Sequence, residues 1–242
     1  MREHGDSGKR RRARAGWVAR RWSMACSRAP RHLTRWLAAA NRSIMTTEKP
    51  FYIKDEDSPA KREILRAALE LFSERGLAAT SIRDIAAKSG YTNPALYKHF
   101  ESKDELALYL FETCHARVWT QCSAALSAGP QFENKLNAYV GAWLDLLDTE
   151  PNVMAFLSDS ARVLWPRTRT AARRRTMIGL ARTLVEQAPR ARGTPAIDPD
   201  VAAASVQGTL AELGRMIQVG VVRGPARRWQ AKLVNLFLAF VQ

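Results

Sequence analysis

A chain of 242 residues, 46% hydrophobic and 25% charged, is long enough for a sizeable apolar core, yet no apolar run reaches eighteen residues, so no membrane span is expected. Three cysteines, Cys26, Cys114 and Cys122, are too few for a disulfide framework and lack close metal-ligand spacing. A reducing cytoplasm is therefore the expected compartment, with no metal and no cofactor. The formal net charge of +15 points toward nucleic acid, but residues 1–44 hold twelve Lys or Arg against two acids, while Ser58–Leu106 hold eight against seven.

In chain order, residues 1–57 read as a basic leader without regular structure. Arg20 and Arg21 interrupt the stretch from Trp17 to Met24, which removes the apolar region a secretory signal needs. Two readings of residues 1–44 stay open. One is a basic arm that follows phosphate or enters a minor groove. The other, which is favoured, takes Met45 as the true start, because MTTEKPFYIKDEDSP is a short polar lead into a first helix.

Ser58 and Pro59 then open a helix whose Ile64, Leu65, Ala68, Leu71 and Phe72 recur at helical spacing, and Gly76 closes it. Ser81 and Asp84 read as a capping box for a second helix, with Ile82, Ile85 and Ala86 on its apolar side. Gly90 supplies a tight turn. A short third helix begins at Thr92, Asn93 and Pro94 and sends Leu96 and Phe100 inward; Ser102 and Glu105 cap a fourth, from Lys103 to about Leu126. Between residues 81 and 100 this spacing is that of a helix-turn-helix, which offers its second helix to the major groove.

Beyond Gly129–Pro130 the segments remain helical: Phe132 to Thr149, Pro151 to Leu164, Pro166 to Ala188, Pro199 to about Val222, and a last helix introduced by Gly224–Pro225. No period-two alternation survives, so the expected fold is all-α with about nine helices. The expected division is a DNA-binding domain over residues 58–118 and a ligand-binding and dimerisation bundle over residues 119–242.

ILRAALELFSERGLAATS (Ile64 to Ser81), IRDIAAKSG (Ile82 to Gly90) and ALYKHFESKDEL (Ala95 to Leu106) together resemble the DNA-binding domain of the TetR family of bacterial transcriptional regulators. The residues themselves suggest that Thr92, Asn93, Pro94 and Ala95 face DNA, with Asn93 suited to a base edge and Pro94 or Ala95 to a thymine methyl. The resemblance implies that Tyr97, Lys98 and His99 contact phosphate or base, that Lys103 contacts phosphate, and that Arg83 matches a base or backbone contact. Against this, Tyr97 could pack on the first helix, His99 could fill a gap and Lys98 could be a solvated charge.

In the bundle, Trp119, Trp143, Phe156, Trp165 and Met177 are the candidate lining of a cavity for a small apolar or amphipathic effector; the alternative is plain core. Arg167, Arg169, Arg173, Arg174 and Arg175 either attract an anionic effector or form a solvated face. Cys114, His115 and Cys122 share one helix and read as buried, inert groups in preference to a metal or redox site. Ala202, Ala203, Ala204, Gly208, Ala211 and Gly214 keep one helix slim. With Leu210, Leu213, Ile217, Leu233, Leu236, Phe237 and Phe240, they suit either a two-fold homodimer or the protomer's own core. No nucleophile with an acid–base partner is present, so no enzyme is expected. The whole reads as a repressor released from a palindromic double-stranded operator by a ligand. Its rivals are a non-specific architectural DNA binder and a small-molecule-binding protein with a vestigial helix-turn-helix.

Overall fold

Ser58 starts the first helix: its hydroxyl accepts from Lys61 N at 3.2 Å, and Pro59 fills the first helical position, where no N–H is needed. This helix, α1, runs Pro59–Arg75 and stops at Gly76. The computed structural model describes residues 50, 52–189 and 197–241, so the leader and the Met45 start lie outside the described residues.

A reciprocal capping box opens α2, Ile82–Ser89, with Asp84 N donating to Ser81 Oγ at 3.2 Å and Ser81 N donating to Asp84 Oδ2 at 2.8 Å. Gly90 ends α2 at φ +76°, a conformation that a side chain would strain. Five residues, Asn93–Tyr97, make up α3, and Ser102 caps α4, Lys103–Ala124. Ile64, Leu65 and Phe72 of α1, Ile85 of α2, Leu96 of α3, and Leu106 and Leu110 of α4 are all buried in one core. The Lys103 ammonium donates to Leu77 O at 2.7 Å and Thr80 O at 2.8 Å, which ties the α1–α2 turn to the start of α4.

After a 3₁₀ turn at Ala125–Ser127 come α5, Phe132–Thr149, and α6, Pro151–Leu164. Phe156 of α6 stacks on Phe72 of α1 with centroids 5.7 Å apart and meets Phe111 of α4 edge-on at 6.2 Å. These rings fuse the first four helices to the bundle, and α4 passes without interruption through residue 118.

The expected single helix from Pro166 to Ala188 is instead three pieces: a 3₁₀ turn at Trp165–Arg167, a four-residue α7 at Thr170–Arg173, and α8 at Met177–Val185. Tertiary contacts override helix propensity here. Arg167 pairs with Asp104 at 2.9 Å and Arg169 with Glu112 at 3.0 Å, both on α4, while buried Thr168 donates to Trp165 O at 2.8 Å. Thr176 then restarts the helix by accepting from Gly179 N at 2.9 Å. The basic run is thus largely engaged: Arg173 donates to Thr168 O and Arg175 lies over the Trp119 ring.

Helix α9, Pro199–Gln218, stops short of Val222 because Gly220 turns the chain at φ +75°. Gly214 lets α9 approach α5 closely; a Cβ there would sit 2.8 Å from Leu147 Cδ2. The last helix, α10, Gln230–Val241, follows a 3₁₀ turn at Ala226–Trp229, whose start is held by the Asp148 carboxylate accepting from Ala226 N and Arg227 N. The architecture is all-α, and among the described residues there is no strand and no helix long and apolar enough to cross a membrane.

At the α5–α6 junction, burial pushes the Glu150 carboxyl up to about 7 from an ordinary 4.5. The unfolded chain ionises first, so this group lowers stability progressively as pH rises from 4.5 to about 7, and holds it lower above that. Glu150→Gln is therefore expected to be more stable than the parent by about 1–3 kcal/mol near pH 8 and equal to it near pH 4, read from urea midpoints. A variant destabilised equally at both pH values would contradict the burial argument.

Candidate functional site

Two features stand out among the described residues: the outer surface of α2–α3 and a cavity in the bundle. The first follows from local sequence. Leu96 and Phe100, four apart, anchor α3 inward, so the residues between and before them turn outward. Thr92, Pro94 and Lys98 are exposed, Asn93, Ala95 and His99 are half-buried, and Tyr97 is 54% exposed rather than packed on α1. Thr92 occupies the cap position of α3, but its side chain makes no capping hydrogen bond. Arg83 is exposed on α2. Lys103 is half-buried and already bonded to two carbonyls, so it brings positive charge to the edge of this surface from a fixed position.

The cavity encloses about 340 Å³ between α4, α5, α6, α8 and α9. Of the five residues singled out for it, Trp143, Trp165 and Met177 line the wall, alongside Phe111, Met154 and Leu157. Phe156 does not reach it: the ring is fully buried behind Phe111, in the stack with Phe72. Trp119 lies off the wall as well, beneath Arg175 at 5.3 Å. The polar lining comes from His115, Ser158, Thr176, Gln207, Arg215 and Gln218. The His115 ring stacks on Phe111 at 6.3 Å and meets Trp165 at 5.0 Å, and burial holds its pKa below the usual 6.5.

Sequence reasoning passed over Gln207 and Arg215. A signal for Gln207 did exist, since Ala203, Val206, Leu210 and Gly214 make the buried stripe of α9 and Gln207 is the polar residue within it. Cys114 and Cys122 are fully buried with their thiols pushed up, Cys122 to about 12, so neither is a reactive thiolate. Among the described residues no group of three His, Cys, Asp or Glu could hold a metal ion.

Residues 64–110 match the family described as bacterial regulatory proteins, tetR family. The HTH-type transcriptional repressor KstR2 of Rhodococcus jostii is 29% identical over 107 residues, 44% of this chain and 52% of that protein. Residues 64–110 are a TetR-type domain. A second TetR-type relative, the HTH-type transcriptional repressor Rv3405c of Mycobacterium tuberculosis, is 58% identical over 43 residues, 18% of this chain and 23% of that protein. The matches thus span about half the length of the first relative and under a quarter of the second. The crystal structure of a regulatory protein in the tetR family from Rhodococcus RHA1 superposes with a TM-score of 0.65 at 24% identity, covering 76% of this chain and 98% of that one. At that identity the likeness speaks for the TetR fold, including the bundle in which sequence similarity fades.

Proposed function

We propose that this chain is a TetR-family, sequence-specific DNA-binding transcriptional regulator, a repressor that leaves a palindromic operator when a small apolar or amphipathic ligand enters the bundle cavity. The observation that carries the reading is the outward surface of α3, where Asn93 to His99 present short polar, aromatic and basic groups on a helix held by buried Leu96 and Phe100. A purely structural three-helix module has no need for that surface, and Tyr97 stands exposed on it.

Asn93 and Arg83 serve as the reading residues in this proposal; Thr92, Pro94, Ala95, Tyr97, Lys98, His99 and Lys103 set register on the backbone or meet thymine methyls. Residues 58–118 form the reading head and residues 119–242 the effector and dimer region. Two-fold pairing would present two heads to a palindrome. On α9 and α10, Ala202, Ala203, Leu210, Ile217, Leu233 and Phe237 are buried within the protomer, whereas Val201, Ala204, Gly208 and Leu236 face outward and remain for a partner. A ligand releases DNA only through its differential affinity for the two arrangements of the heads.

The test is selection of preferred duplexes from a random pool, followed by titration of variants against the selected sequence. Asn93→Ala is expected to lose about 1–3 kcal/mol at particular base pairs, while Lys98→Ala weakens all sequences alike and lowers the salt slope by about one. Equal affinity for random and selected duplexes would replace this reading with a non-specific architectural binder.

A further inference from the structure

The hydrogen-bonding state of the cavity wall defines the chemical class of what it takes; this inference rests on the effector reading above. The wall holds two groups that can carry charge, and neither offers an unpaired one. His115 sits between the Phe111 and Trp165 rings, and its burial keeps the imidazole neutral at neutral pH. Arg215 lies at the cavity edge, but its guanidinium is engaged through two nitrogens with both carboxylate oxygens of Glu212, Nε at 2.8 Å. A carboxylate or phosphate entering this space would be desolvated without a free cation to meet it.

Gln207, in contrast, is held with its donor unused. Tyr139 is fully buried, and its hydroxyl donates to Gln207 Oε1 at 2.8 Å. The buried Trp143 Nε1–H, a donor only, makes no hydrogen bond of its own among the described residues. The Tyr139 proton goes to Gln207, so the carboxamide turns its oxygen toward Tyr139. Gln207 itself lines the cavity, and its NH₂ meets no acceptor among the described residues. The remaining wall is mostly apolar and aromatic, built from Phe111, Trp143, Leu147, Met154, Trp165 and Met177, with Ser158, Thr176 and Gln218 as its other polar side chains.

We infer that the cavity takes an uncharged molecule with a rigid apolar body and an oxygen acceptor (a carbonyl, ester or ether) that receives a hydrogen bond from the Gln207 amide. The volume of about 340 Å³ lies near the lower end of the range of about 300–1,000 Å³ that drug-sized ligands occupy, so the body is compact rather than a long chain.

The experiment compares three probes of related shape by calorimetry on the full chain: benzophenone, its hydrocarbon counterpart diphenylmethane, and anionic 4-benzoylbenzoate. Benzophenone is expected to bind about tenfold more tightly than diphenylmethane, and the anion more weakly than either. Gln207→Met should erase the ketone's advantage while leaving hydrocarbon binding in place. Tyr139→Phe, which frees the Gln207 amide to turn, should reduce that advantage, and it supplies a second variant should Gln207→Met fold poorly. Equal binding of ketone and hydrocarbon, tightest binding of the anion, or a ketone preference that survives Gln207→Met overturns the inference while the cavity stands as a ligand site. If none of the three binds, the effector reading itself falls.

Discussion

Phe156→Ala is expected to destabilise the chain by about 3–5 kcal/mol. The side chain is fully buried, and it is where three helices from distant parts of the sequence meet: α1 through Phe72 at 5.7 Å, α4 through Phe111 at 6.2 Å, and α6 itself. Removing the ring opens a space bounded by two other rigid rings, which cannot collapse into it. The cost therefore combines lost transfer energy with a residual cavity. Because these rings join the first four helices to the bundle, the urea transition should also lose cooperativity, with the early helices melting first. Phe156→Leu should be milder and should leave probe binding unchanged, since the residue stands behind the cavity wall. A Phe156→Ala midpoint within error of the parent would show that the stack carries little of the fold.

Leu96→Ala is expected to abolish specific DNA binding while leaving the bundle folded. Helix α3 has five residues, far below the length of about 12–15 at which isolated helices become marginal in water, so packing alone holds it. Leu96 is the buried residue of that helix, and truncating such a leucine costs about 2–5 kcal/mol. The loss falls locally, because α3 touches the body mainly through this side chain and the following Phe100. Amide exchange at Leu96, His99 and Phe100 should accelerate with little change in the amides of α5 and α9. Affinity should drop to the non-specific level of about 10⁻⁴–10⁻⁶ M at physiological salt. Retention of sequence preference by this variant would mean that reading does not depend on α3.

The two variants also separate what was legible from what was not. The helix-turn-helix was readable residue by residue because its determinants are local: a capping box at Ser81–Asp84, a left-handed glycine at Gly90 and two inward residues four apart at Leu96 and Phe100. The cavity was readable only in part. Trp143, Trp165 and Met177 reach its wall, but Phe156 and Trp119 have the same residue character and spacing and point elsewhere. An aromatic at a core-facing position looks alike in sequence whether its neighbour is another ring or an empty space. The segment from Pro166 to Ala188 was misread for a related reason, since its helical pattern is real but ion pairs to Asp104 and Glu112, some sixty residues away in sequence, pull it out of one helix.

By itself the sequence determined the all-α class, the positions of most helix ends and the motif that relates the chain to the TetR family. These depend on short-range caps, turns and period, which act within a few residues. Only the tertiary structure decided which rings enclose the cavity, that the arginine run serves as a tether, and that Tyr139 bonds the cavity-lining Gln207. Those outcomes depend on distances between residues tens of positions apart, and such distances exist only once the helices have packed.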